Sequence, residues 1–234
     1  RMLDAIAREH ARGRMLLIGT TNLDLMRPVV WNIGAIAASG HPGALELFRR
    51  ILLASASIPG AFPPVFVDVE VNGRRHQEMH VDGGAATQVF FYPPALDLRR
   101  VAGAAGLVRD RTVWVIRNGR VDVESGNVSR GILRIAARSI QTLLHYSGLG
   151  DIQRIQLTAE RDRVAFRLAV IGRDFAEERR EPFEQGFMRA LFDHGYAQGR
   201  DPGSWLERLP GVGMLAAPGQ PAPAPAAALR PATR

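Results

Sequence analysis

The stretch ASASIPGAFPPVFVDVEVNGRRHQEMHVDGG, residues 54–84, decides the reading of the chain. Two β-rich runs, Val65–Val71 and His76–Val81, flank Asn72-Gly73. An Asn-Gly pair between such runs is the strongest short-range hairpin signal, because both turn residues must take positive φ. Asp82 then stands at the C-terminal end of the second strand. It is followed by Gly83, which permits positive φ, and Gly84, which removes a Cβ that would block a close neighbour. Ligands of open α/β sheets bind beyond the carboxyl ends of strands. An aspartate held there can take a proton from a hydroxyl nucleophile within hydrogen-bond reach. A plain Asp-Gly turn accounts for the same three residues.

Working outward, Pro42–Ser55 has helical spacing at Leu45, Phe48, Ile51 and Leu52, and Pro59 ends it. Upstream, Met2–Arg12 is an amphipathic helix with Leu3, Ile6 and Ala7 on one face, stopped by Gly13. Met15–Thr20 is a buried strand, and Pro28–Ala37 a second strand running into loop. Downstream, Thr112–Arg117 and Val164–Ile171 are strands. Val128–Tyr146 and Asp151–Glu160 are two helices separated at Gly148-Leu149-Gly150, and Pro182–Gln198 is a helix. Strands alternating with helices give an α/β layered fold with one mixed sheet. Its strands look apolar on both faces, as covered parallel strands do. From residue 210 the composition turns to Pro and Ala, so the division is a folded part, 1–209, and a disordered tail, 210–234.

The 234 residues carry a formal charge of +7, and all 30 basic residues are arginine. The arginine pairs at 49–50, 74–75, 99–100 and 179–180 are scattered, which argues against nucleic-acid binding and leaves a diffuse attraction to anionic lipid. There is no cysteine, so disulfides and thiolate zinc sites are excluded. No apolar run reaches the length of a membrane span.

The residues from Ile51 to Val65 and Asp82-Gly83-Gly84 together resemble the patatin-like phospholipase family. In that family a helix of small residues leads into Ile-Pro-Gly-x-Phe-Pro-Pro, then a hairpin, then Asp-Gly-Gly or Asp-Gly-Ala. Here the first motif is Ile58-Pro59-Gly60-Ala61-Phe62-Pro63-Pro64. Leu16–Asp24 also looks like the family's strand following its nucleophile half. The resemblance covers about residues 1–100 well and the rest more loosely. It implies a three-layer α/β/α fold and lipid acyl hydrolysis by a Ser–Asp dyad without histidine, metal or cofactor. It also implies that Asp82 is the base.

The chain departs from the family in two respects. Its eight serines, at 39, 55, 57, 125, 129, 139, 147 and 204, all lack a glycine two residues before. No Gly-x-Ser-x-Gly elbow and no N-terminal glycine-rich oxyanion loop is present. The expectation is a chain that begins after both elements and supplies the acid half of the dyad. The alternative is a catalytically dead relative that binds lipid or a partner.

Other candidates are weaker. His80 and Asp82 point to one face of their strand and have the spacing of two metal ligands, but no third ligand is close in sequence. Asp24 reads as a turn residue that could also orient the site. Ser55 and Ser57 read as small residues that let helix and sheet approach. Trp31, Trp114 and Trp205 read as core or interface residues. Phe90, Phe91 and Tyr92 follow the Asp-Gly-Gly loop and read equally as packing and as lipid contacts at the rim of the site.

Overall fold

The computed structural model describes residues 2–93, 95–104, 106, 109–122, 128–177, 181 and 183–211. The tail expected from residue 210 onward therefore lies almost wholly outside the described residues. The chain is mixed α/β, with a four-stranded antiparallel sheet and a two-stranded parallel sheet.

The first sheet has strands β1 (Leu17–Asn22), β2 (Arg27–Asn32), β3 (Val65–Val71) and β4 (Arg74–Asp82), in the order β2-β1-β4-β3. The β3–β4 hairpin forms as its turn chemistry requires, with Asn72 at φ 52 and Gly73 at φ 74. The central pairing is Thr20 opposite Asp82 and Asn22 opposite His80. Helix α1 (Met2–Ala11) packs on α2 (Ile33–Ala38), and α2 and α3 (Ala44–Ser55) pack on this sheet. Phe48 and Ile51 of α3 close a small core with Ile33 of α2, and Leu3, Ile6, Ile18 and Trp31 pack against it.

The second sheet joins β5 (Thr112–Ile116) to β6 (Ala165–Ala169) through α5 (Ile132–Asp162). Parallel neighbours need such a crossover, so this is a βαβ unit. Its core is Val113 and Val115 of β5, Phe166 and Leu168 of β6, and Ile152, Ile155 and Ala159 of α5. Helices α4 (Leu98–Ala104) and α6 (Gln185–Arg200) complete the fold.

Four expectations are corrected. The strands do not form one mixed sheet: short turns keep β1–β2 and β3–β4 antiparallel, and only the α5 crossover makes a parallel pair. β5 is apolar on both faces but covered on only one, for Val113 and Val115 are buried while Trp114 and Ile116 are exposed. The run Pro28–Ala37 turns helical after Asn32, whose side chain accepts the Ala35 N–H and caps α2. Finally, α5 is one helix of 31 residues, not two. Gly148 does not break it. A Cβ there would stand 2.1 Å from Arg117 Nη1 and from Gln88 Oε1, so the glycine makes room for two side chains.

Candidate functional site

Asp82 ends β4 at φ −46, ψ 134 and starts a 3₁₀ turn, Gly83–Ala85. Three contacts fix it. Its N–H donates to the Ser57 carbonyl at 3.0 Å, its own carbonyl accepts from Thr21 Oγ1 at 3.0 Å, and its Oδ1 accepts from Gly84 N at 2.7 Å. Ser57 follows α3 and Thr21 lies on β1. The small-residue helix end and the Asp-Gly-Gly turn, far apart in sequence, thus meet at one peptide. Asp82 as a residue is half-buried. Among the described residues its one side-chain hydrogen bond is the cap through Oδ1, which leaves Oδ2 to accept another donor.

Gly84 is a position of close approach, as the sequence suggested, whereas Gly83 works differently from the sequence reading. Neither takes positive φ. A Cβ on Gly83 would stand 2.7 Å from the Gly19 carbonyl oxygen on β1, so Gly83 too is a position of close approach. A Cβ on Gly84 would stand 3.0 Å from Asp82 Oδ1 and would crowd the carboxylate. On the other side of this contact the Phe90 ring covers Gly19, 3.0 Å from where a Gly19 Cβ would be.

Beside the turn lies a buried polar chain that the sequence did not reveal. Trp31 Nε1 donates to Thr20 Oγ1 at 2.8 Å, and Thr20 Oγ1 is 2.9 Å from His80 Nδ1. His80 Nε2 faces Glu78 Oε2 at 3.4 Å. A carboxylate only accepts, so a neutral His80 carries its proton on Nε2 and Nδ1 accepts from Thr20. Both ring nitrogens of His80 are then used within the fold. The ring is fully buried and lies against Trp31, centroids 5.5 Å apart. The His80–Asp82 pair is no metal site on this geometry, and the described residues hold no group of three or more metal-ligating side chains.

The remaining candidates are structural. Asp24 Oδ2 accepts from Met79 N at 2.7 Å and pins the β1–β2 loop to β4. Ser55 Oγ and Ser57 Oγ donate to the Leu52 and Leu53 carbonyls of α3. Trp114 is exposed and meets Trp205 edge to face at 4.7 Å. Ser125 lies outside the described residues.

Downstream, the loop after Gly84 is bolted to α5 by two buried aspartates. Asp151 Oδ2 accepts from Gln88 N at 2.8 Å and its Oδ1 from Arg154 at 3.0 Å. Asp162 accepts from Arg161 Nε at 2.7 Å, from Tyr92 OH at 2.6 Å and from Leu98 N at 3.2 Å. The Arg161 guanidinium, with help from Tyr92 and Leu98, holds the Asp162 carboxyl well below the usual carboxylate range. Burial, and then the hydrogen bond to Asp162, pushes the Tyr92 hydroxyl up to about 12. Phe90, Phe91 and Tyr92 also wall a pocket of about 190 Å³ with Val30, Arg154 and Ile155. A larger groove of about 670 Å³ lies between α2, α3 and β3. Asp82 lines neither.

In comparisons with known proteins, no family model, no curated protein and no solved structure matches the chain.

Proposed function

We propose that the chain carries the acid half of a lipid acyl hydrolase of the patatin-like type, with Asp82 as the base of a Ser–Asp dyad. The observation that supports this most is the hold on Asp82. Its backbone is clamped by Ser57 and Thr21, its Oδ1 is tied to Gly84, and its Oδ2 remains open to a donor. In this scheme a serine from residues outside this sequence donates its proton to Asp82 Oδ2 as its oxygen attacks the ester carbonyl. The proton then passes to the departing alcohol, and water repeats the exchange to release the acid. A phospholipid or other acyl ester is the substrate, and no metal or cofactor is required.

The second reading, lipid or partner binding without turnover, rests on the serines. Those nearest the motif, Ser55 and Ser57, spend their hydroxyls on helix carbonyls and offer none to Asp82.

The test is hydrolysis of p-nitrophenyl butyrate. The chain as it stands should be inactive, since a base without a nucleophile or oxyanion donors has little to act on. The product of the reading frame extended upstream of Arg1 should contain a Gly-x-Ser-x-Gly and be active. An extended protein without that motif and without activity favours the second reading.

A further inference from the structure

We propose that the first turns of α5, Ile132–Tyr146, are a peripheral docking element for the surface of an anionic lipid bilayer. This inference is independent of whether Asp82 acts as a base.

The helix has two unlike halves. From Gly148 to Asp162 it buries Ile152, Ile155 and Ala159 in the core of the βαβ unit. From Ile132 to Leu143 every residue is exposed except half-buried Arg138. Ile132 is 84% exposed, Leu133 85% and Leu143 70%. This is about 18 Å of helix with no body beneath it among the described residues. In proteins most helical stability comes from packing an amphipathic face, and this half of α5 packs its apolar residues on none of the described elements.

The pattern of this half says what that face meets. At 3.6 residues per turn, Ile132, Leu133, Ile135, Ile140, Leu143 and Tyr146 fall in one broad apolar arc, interrupted by Ser139. Arg134, Arg138, Gln141 and His145 fill the narrow opposite arc. The stripe through Ile132 and Leu143 is rotated nearly half a turn from the Ile152, Ile155 and Ala159 face that α5 docks in its second half. The stripe therefore does not continue the internal core.

Charge selects the occupant. From Val128 to Gly150 the sequence has Arg130, Arg134 and Arg138 and no acidic residue. A soluble partner helix would satisfy the apolar arc alone. A basic polar arc beside a wide apolar one is the signature of a helix lying in a bilayer interface. There the leucines and isoleucines enter the acyl boundary while the arginines reach anionic headgroups. No helix among the described residues is long and apolar enough to cross a membrane, so the contact is peripheral.

The experiment is co-sedimentation of the full chain with vesicles of phosphatidylcholine alone or mixed with phosphatidylglycerol. Binding is expected to the anionic vesicles and not to the neutral ones, and high salt should weaken it. The double variant Leu133→Ser/Leu143→Ser should bind about tenfold or more weakly, with the same thermal midpoint, because both side chains are exposed. Phe192→Ser, at an exposed apolar position on α6, should bind like the parent. Equal binding to neutral vesicles, no binding at all, or unchanged binding by the double variant would overturn the proposal. So would concentration-dependent self-association that the double variant abolishes, which would assign the stripe to a second copy of the chain.

Discussion

Gly83 lies so close to β1 that a β-carbon on it would stand 2.7 Å from the carbonyl oxygen of Gly19. The neighbour is backbone within a paired strand and cannot swing aside. Gly83→Ala should therefore force β4 and β1 apart and cost about 1–3 kcal/mol. Gly131, at φ −71 with nothing within 4 Å of its missing Cβ, is the control. Gly131→Ala should change stability by no more than about 1 kcal/mol. Urea unfolding of the two variants checks the contrast, and equal midpoints would show that the close approach carries no weight.

Asp82→Asn separates capping from chemistry. An asparagine keeps the oxygen that accepts the Gly84 N–H, so its unfolding midpoint should match the parent's closely. Asp82→Ala removes that oxygen and should lose about 1 kcal/mol, the usual worth of such a cap. If an upstream-extended protein is active, Asp82→Asn in it should lower the esterase rate by about 10²-fold or more, the scale of general-base help. Retained activity, or an equal loss from a single histidine-to-alanine change, would exclude the Ser–Asp dyad.

The two glycines of Gly148-Leu149-Gly150 should respond in opposite ways. Gly150 has open space where a Cβ would go, so Gly150→Ala should stabilise the helix by about 0.5–1 kcal/mol through propensity alone. Gly148→Ala gains the same propensity but must displace Arg117 and Gln88. These side chains bond each other at 3.1 Å, and Gln88 also bonds the Leu144 carbonyl at 2.7 Å. The net effect should be a loss. If both variants were stabilised alike in thermal melts, Gly148 would not be there for packing.

These glycines also show what a sequence discloses and what it hides. The β3–β4 hairpin was legible because its cause is local: two residues with positive φ between two β-rich runs. Asp82 was legible for the same reason, as an acid at the end of a strand that the hairpin already located. Gly148 was misread as a break because its reason for being small comes from Arg117 and Gln88 on other elements. The partners of Asp82, namely Ser57, Thr21 and the Gly19–Gly83 approach, were likewise hidden, since they depend on which strand lies beside β4. Thr20-Thr21-Asn22 was the one visible hint, a polar end to an apolar strand. Nothing local joined it to Trp31 and His80.

That hidden chain gives a stability prediction. Thr20→Val keeps the shape but leaves the indole N–H of Trp31 and Nδ1 of His80 without the partner they share. An unsatisfied buried polar group costs about 1–3 kcal/mol, so the variant should lose roughly 2–4 kcal/mol. Thr20→Ser, which retains the hydroxyl, should lose about 1 kcal/mol or less. Urea titrations followed by tryptophan fluorescence read both. A Thr20→Val midpoint equal to that of Thr20→Ser would show that the hydroxyl does not bridge the two rings.

The junction of Tyr92 and Asp162 should make stability fall at both ends of the pH scale. Asp162 has its folded pKa depressed, so its contribution is fully present above the ordinary carboxylate pKa of about 4 and is lost as pH falls below it. Tyr92 has its folded pKa raised to about 12. Its contribution is fully present below the ordinary tyrosine value of about 10 and is lost as pH rises from there through the folded pKa. Tyr92→Phe removes a hydrogen bond to a charged group and should cost about 1.5–3 kcal/mol at neutral pH. It should also flatten the alkaline limb of the stability profile. The acid limb should persist in this variant, because Arg161 and the Leu98 N–H still hold the carboxylate. Asp162→Asn should flatten the acid limb and lower the apparent pKa of Tyr92, read by ultraviolet titration of the phenolate. An acid limb unchanged in Asp162→Asn would mean that other carboxylates set the acid stability of the chain.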